Sequence, residues 1–203
     1  SSQFPPSTET VKEDDLIKKK DGLYYKKNAN VPFTGVLLFH DNDRLWLKKS
    51  YKKGLLHGPE EQFYEDGSST FSSWNKGVLH YKSYHDLPGD ISTVYEEFHK
   101  NGKLRSRENW IDDYVVGISE EYYENGQLES RLSYSNQGGR EGLTQYYHEN
   151  GQLREKGNYK DSKQDGLWES YDENGDLLHK EYYKNGELHG PREFFNKKGQ
   201  LYH

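Results

Sequence analysis

The residues of this chain best suited to chemistry are its nine histidines and a recurring column of carboxylates. His57, His80 and His189 fall at the same place in a repeated pattern, just before a unit boundary. Zinc ligation needs imidazole nitrogens about 2 Å from one ion. Stacked strand pairs would hold the three roughly 10 Å apart, so their placement reads as turn register rather than as a metal site. Glu61, Glu96, Glu120, Gln145, Glu169 and Glu193 share a second position. Paired acids of this type cleave glycosidic bonds when they flank one substrate. A position filled in every unit serves the fold instead, each side chain accepting hydrogen bonds from tyrosine hydroxyls, backbone or a basic neighbour. The chain has no Gly-x-Ser-x-Gly elbow, no phosphate-cradling glycine loop and no His-Glu-x-x-His. The expectation is a non-enzyme with no catalytic residues, no metal and no cofactor.

What must position these side chains is a motif that recurs about every 24 residues. Gly117, Gly142, Gly166 and Gly190 open successive units, and Asn125-Gly126, Asn150-Gly151, Asn174-Gly175 and Lys198-Gly199 follow at one offset. Gly58 with Asp66-Gly67, and Thr93 with Asn101-Gly102, keep the frame less faithfully; after Gly35, Asp43 stands where the turn glycine should be. Asn-Gly between apolar or aromatic runs predicts a type I′ hairpin turn, with positive φ at both central residues. Before the turn, Leu143, Gln145 and Tyr147 alternate with Thr144, Tyr146 and His148 and so share a face. After it, Leu153 and Tyr159 have equal parity, which places them on one face as well. Leu, Tyr and the Glu column thus map to one side. A period in this range means stacked small units, not a globular enzyme core. The predicted fold is all-β: an elongated, single twisted antiparallel sheet of stacked β-hairpins.

Composition agrees. The hydrophobic fraction is 31%, against roughly 45–50% in ordinary domains, while aromatics reach 15%, chiefly through 18 tyrosines. A two-layer sandwich needs more aliphatic filling than this; one sheet with tyrosines on a face needs less. Net charge is −6, with 28 basic and 34 acidic residues interspersed. That argues against nucleic acid and against docking on anionic lipid, both of which need a basic stripe. Cysteine is absent, which removes disulfides and thiol chemistry. No apolar run approaches the 18 or so residues of a membrane span.

Along the chain, residues 1–20 read as a flexible Ser-, Pro- and charge-rich lead or tether. The repeat domain is 21–203, with a cap at 21–34 and units from about 35, 58, 93, 117, 142, 166 and 190. Gly67 to Gly102 is about 11 residues longer than the period, an excess assigned to an insertion at 82–92. Insertions in repeat proteins become loops, often on the binding face.

The segments Glu121–Leu128, Tyr146–Leu153 and Tyr182–Gly190, with the opening Asp21–Lys27 and Pro32–Gly35, resemble the MORN-repeat variant of bacterial proteins, many of them labelled YwqK-type antitoxins. The resemblance spans roughly residues 14–203 and implies a non-catalytic protein-binding module, an antitoxin or immunity protein that binds and neutralises another protein encoded nearby. Many such relatives look like lipoproteins. The Ser1-Ser2-Gln3 start suits a chain trimmed at a lipid anchor upstream of Ser1, so the cell envelope is favoured over the cytoplasm. An envelope-associated lipoprotein scaffold is the alternative, and a glycan-binding aromatic surface a third. Aromatic and arginine side chains anchor interfaces, which selects Trp46, Tyr122, Arg131, Tyr147, Trp168 and Tyr171 as partner contacts. The insertion adds Tyr84, His85 and Asp86. Open edge strands also offer homo-oligomerisation.

Overall fold

The computed structural model describes residues 8–85 and 92–202; Asp86, the remainder of 86–91, and both chain ends beyond those bounds lie outside the described residues. The chain divides into two compact units, Ser1–Gly102 and Lys103–His203. The described chain is all-β, built of consecutive hairpins as the repeat predicts, with one three-residue 3-10 turn at Glu13–Asp15. No helix among the described residues is long and apolar enough to cross a membrane.

Unit 1 contains β1 (Thr10–Lys12), β2 (Leu16–Lys18), β3 (Tyr24–Lys26), β4 (Gly35–Asp41), β5 (Arg44–Lys52), β6 (Leu55–Phe63), β7 (Ser69–Asn75), β8 (Val78–His85) and β9 (Ser92–Phe98). From β4 to β9 each strand pairs antiparallel with the next. β1 joins the outer edge of β4 in parallel, Val11 opposite Leu37, and β2 with β3 forms a separate two-stranded sheet. The stretch read as a flexible lead is therefore folded from Thr10 onward. The reason is apolar: Val11 joins Phe33, Leu37 and Tyr51 in a buried cluster, and Leu16, Tyr24, Phe39 and Leu56 pack against it. Phe33, in the predicted cap, is 3% exposed. Its backbone N–H donates to the Tyr24 carbonyl, and its own carbonyl accepts from Gly54. The insertion also shrinks. Lys82 to His85 complete β8 and pair with Glu96 to Thr93 of β9, so only 86–91 remain, outside the described residues.

Unit 2 contains β10 (Leu104–Ile111), β11 (Tyr114–Tyr122), β12 (Leu128–Tyr134), β13 (Gly142–Tyr147), β14 (Leu153–Lys160), β15 (Lys163–Tyr171), β16 (Leu177–Lys184), β17 (Glu187–Leu188) and β18 (Glu193–Phe194). Strands pair in chain order from β10 to β17, and β18 also pairs with β16. Two turn types alternate. The intervening Asp161-Ser162 and Asn185-Gly186 turns have positive φ at both central residues, as type I′ requires. The Asn-Gly turns do not. Gly126, Gly151 and Gly175 have φ of 93°, 87° and 86°, but the preceding asparagines are not in the positive-φ region. The Gly126 N–H donates to the Tyr123 carbonyl and the Tyr123 N–H to the Gln127 carbonyl. This is a type I turn closed by a left-handed glycine, the longer hairpin connection that carries a bulge.

That bulge corrects the predicted face map. Tyr146 pairs with Glu155, but Tyr147 pairs with Leu153, leaving Arg154 as the extra residue; the same shift occurs at Tyr122 with Leu128 and at Tyr171 with Leu177. One extra residue reverses parity. Leu128, Leu153 and Leu177 therefore lie opposite Tyr122, Tyr147 and Tyr171 on one face. Tyr134, Tyr159 and Tyr183 lie opposite Gly117, Gly142 and Gly166 on the other.

Candidate functional site

The two faces of unit 2 differ in what covers them. One is closed. Ser119, Ser130, Thr144 and Trp168 on it are all at most 4% exposed. Small residues form the floor, and large side chains lie along the sheet above it. The Trp168 indole sits over Gly157 so tightly that any side chain there would collide with the ring. Tyr159 and Tyr183 meet Trp168 edge-on at centroid distances of 5.5 and 6.3 Å. The Arg140 guanidinium lies 5.4 Å from the Tyr134 ring and 4.9 Å from Tyr159, and donates to the hydroxyls of Tyr134 and Tyr146. A sheet face is thus buried without a second layer.

The other face is open and carries three parallel rows. In the first, Ile118, Leu143 and Leu167 each follow a unit-opening glycine, and are 37%, 45% and 36% exposed. In the second, the register Arg107–Glu120–Arg131–Gln145–Lys156–Glu169–Lys180–Glu193 runs across successive strands, basic alternating with acidic or amide. Arg131 pairs with Glu120 at 3.6 Å, and Glu169 lies between Lys156 at 2.9 Å and Lys180 at 3.7 Å. In the third, Tyr122, Tyr147 and Tyr171 close their strands. By strand alternation the rows share one face, and like residues recur every second strand, roughly 10 Å apart.

The electrostatics of the middle row are those of paired charges. Burial pushes the Glu169 carboxyl up, but the hydrogen bond and charge of Lys156, with help from Tyr171 and Lys180, outweigh it and hold the group below the usual carboxylate range. Burial, and then the bond donated to Glu120 at 2.9 Å, raise the Tyr122 hydroxyl above its ordinary value. The carboxylate column therefore accepts from basic and tyrosyl neighbours within the sheet. Among the described residues, no three His, Cys, Asp or Glu side chains converge as metal ligands.

Of the sequence-selected contacts, Tyr122, Arg131, Tyr147 and Tyr171 come together on this open face. Trp168 does not: it is buried on the closed face against Gly157, which removes it as a partner contact. Trp46, Tyr84 and His85 belong to unit 1. Trp46 sits half-buried at a bulge, 5.6 Å from the Phe39 ring. The Tyr84 hydroxyl donates to Glu96 at 3.0 Å, while His85, on the opposite face, bonds Ser83 at 3.0 Å. Asp86 lies outside the described residues.

Two features escaped the sequence reading. The exposed Ile118–Leu143–Leu167 row was visible as the apolar residue after each opening glycine, but parity alone did not expose it. The turn asparagines do more than shape turns. Asn125 accepts from the Gln127 N–H within its own turn and donates to the Glu149 carbonyl of the next unit; Asn150 does the same with Gln152 and Glu173. Tyr123 likewise reaches the Tyr147 carbonyl, and His148 Nε2 the Tyr171 carbonyl.

Residues 93–112, 115–136, 140–161 and 164–186 match the MORN repeat variant. No curated protein matches the chain. Among solved structures it is similar to TarM, at 16% identity and a TM-score of 0.35, covering 53% of this chain and 20% of that one. It is similar at 15% identity and the same TM-score to a mutant of S. aureus TarM in complex with Fondaparinux, alpha-GlcNAc-glycerol and UDP, covering 53% of this chain and 21% of that one. The chain thus spans about a fifth of the length of those structures. Four consecutive stretches between residues 93 and 186 thus match the MORN repeat variant.

Proposed function

We propose that this chain is a non-catalytic protein-binding module that uses the open face of unit 2, and that it masks its partner in the manner of an antitoxin or immunity protein. The observation that carries this reading is the row Ile118, Leu143 and Leu167, left exposed beside a row of ion-paired side chains. Covering exposed aliphatic surface yields about 25 cal/mol per Å². Arg131 with Glu120, and Lys156 and Lys180 with Glu169, meet a partner already engaged with one another, and the tyrosines add amphipathic contact area of the kind that anchors interfaces. A net charge of −6 suits a basic partner, whose approach it accelerates.

The test is co-expression of the chain with the product of each adjacent gene, followed by co-purification and a measurement of the partner's toxicity or activity. A stoichiometric complex in which that activity is suppressed is expected. Failure of every neighbour-encoded protein to bind would remove the antitoxin reading.

A further inference from the structure

We infer that a hollow in unit 1, between the β7–β8 turn and the end of β9, binds a small organic anion with a flat apolar body, such as an aromatic monocarboxylate. Its volume is about 400 Å³, within the range of small-molecule sites. Val78, Leu79 and Phe98 form its apolar wall, and Val78 is 39% exposed. Asn75, Lys76, Lys100, His80 and His99 supply its polar lining, and no carboxylate among the described residues lines it.

That charge sorting is the substance of the case, because acidic residues outnumber basic ones in this chain by 34 to 28. Hollows at turn ends arise elsewhere in the fold, and they are lined differently. One of about 410 Å³ in unit 2 has a comparable apolar wall of Leu177, Leu178 and Phe195, but sets Asp172 and Asp176 against the single cation Lys197. Another, of about 200 Å³, sets Asp41 and Glu65 against Arg44. The hairpin geometry makes the hollow, and the side chains select its occupant. In the β7–β8 hollow, an apolar ring meets Val78, Leu79 and Phe98, while its carboxylate meets the ammonium groups of Lys76 and Lys100 and the imidazole of His80, a charge-assisted arrangement. The Lys76 backbone is held in a two-residue turn with φ of 49°, and its N–H points to His57 Nδ1 at 3.4 Å. This fixes the point from which the lysine side chain reaches.

The probe is 1-naphthoate, titrated against the full chain and followed by the methyl resonances of Val78 and Leu79, with neutral 1-naphthamide as its uncharged match. Saturable naphthoate binding is expected, at least fivefold tighter than the amide. Lys76→Glu with Lys100→Glu should weaken it about tenfold, the size expected for reversing two exposed charges. The same charge change at Lys160→Glu with Lys184→Glu, in unit 2, should leave it within twofold. Equal affinity for naphthoate and naphthamide on the unaltered chain would overturn the inference, as would absence of saturation or an equal loss in the control pair. The naphthamide comparison needs no variant, so it stands whether or not a substitution disturbs folding.

Discussion

The two units of this protein solve the same problem with different means. A twisted sheet of polar strands has no second layer to bury. Unit 1 meets this with a conventional apolar cluster at its N-terminal end, where Val11, Phe33, Leu37 and Tyr51 come together from four separate segments. Among the described residues of unit 2, the large side chain buried most deeply is Trp168, over a floor of Ser, Thr and Gly. Beside its strand pairing and ion pairs, this unit has contacts that repeat with the period, asparagine, tyrosine and histidine side chains each reaching a backbone carbonyl one repeat ahead. The difference shows what a repeat frees. Once neighbouring units hold each other through backbone-directed bonds, the apolar residue after each opening glycine is no longer needed inside. It can be left on the surface for a partner.

Substitutions that separate the two strategies should rank accordingly. Phe33→Ala removes the centre of the unit 1 cluster and should cost about 3–5 kcal/mol, read by thermal and urea unfolding. A cost under 1 kcal/mol would mean that the cluster does not hold the cap. In unit 2, Gly157→Ala drives a methyl into the Trp168 ring and should cost about 1–3 kcal/mol, with loss of the tryptophan near-ultraviolet dichroism. Asn150→Ala should cost about 1–2 kcal/mol by removing both the turn bond and the inter-unit bond. Asn150→Asp keeps the acceptor within the turn and loses only the donor to the next unit, so it should recover about half. Equal losses in the two variants would mean that the inter-unit bond contributes nothing.

The smallest effect is that of the charge ladder. Burial raises the carboxyl of Glu169, but Lys156, with Tyr171 and Lys180, outweighs it and holds the group low; off the ladder, on the closed face, Tyr183 and Arg192 hold Glu181 low against burial in the same way. A depressed folded-state value stabilises the protein fully above the ordinary carboxylate value of about 4.3. That contribution is lost as pH falls through the lowered folded-state values. Glu169→Gln should therefore cost at most about 1 kcal/mol at neutral pH and flatten the acid limb of the stability curve. A steeper acid limb in the variant would contradict the pairing.

Much of this architecture was legible in the residues. The Gly, Asn-Gly and Leu spacings gave the hairpins and their order, because turn chemistry and alternation are local. Three things were not local. Val11 and Leu16 look like parts of a polar lead until Phe33 and Leu37 are brought beside them. The asparagine turns read as type I′ from the dipeptide, whereas the extra residue they carry is seen only in the pairing of Tyr147 with Leu153. That single residue reversed the face of every later tyrosine in its strand. Trp168 resembled an interface anchor by type, and only the glycine opposite it shows why it is buried. Tyr122, Tyr147 and Tyr171 keep their predicted face because alternation along their own strands is unbroken, whereas Arg131, chosen by residue type, follows a bulge and reaches that face only through its pairing with Glu120 and Gln145.

The claim that unit 2 binds through its open face is tested most directly by one calorimetric comparison. The partner protein is titrated against two double variants that add equal charge to exposed aliphatic positions, Leu143→Glu with Leu167→Glu on the open face and Val31→Glu with Val78→Glu in unit 1. The first pair should weaken binding at least tenfold and the second by less than twofold. Equal affinities for both variants, or a larger loss in the unit 1 pair, would contradict it.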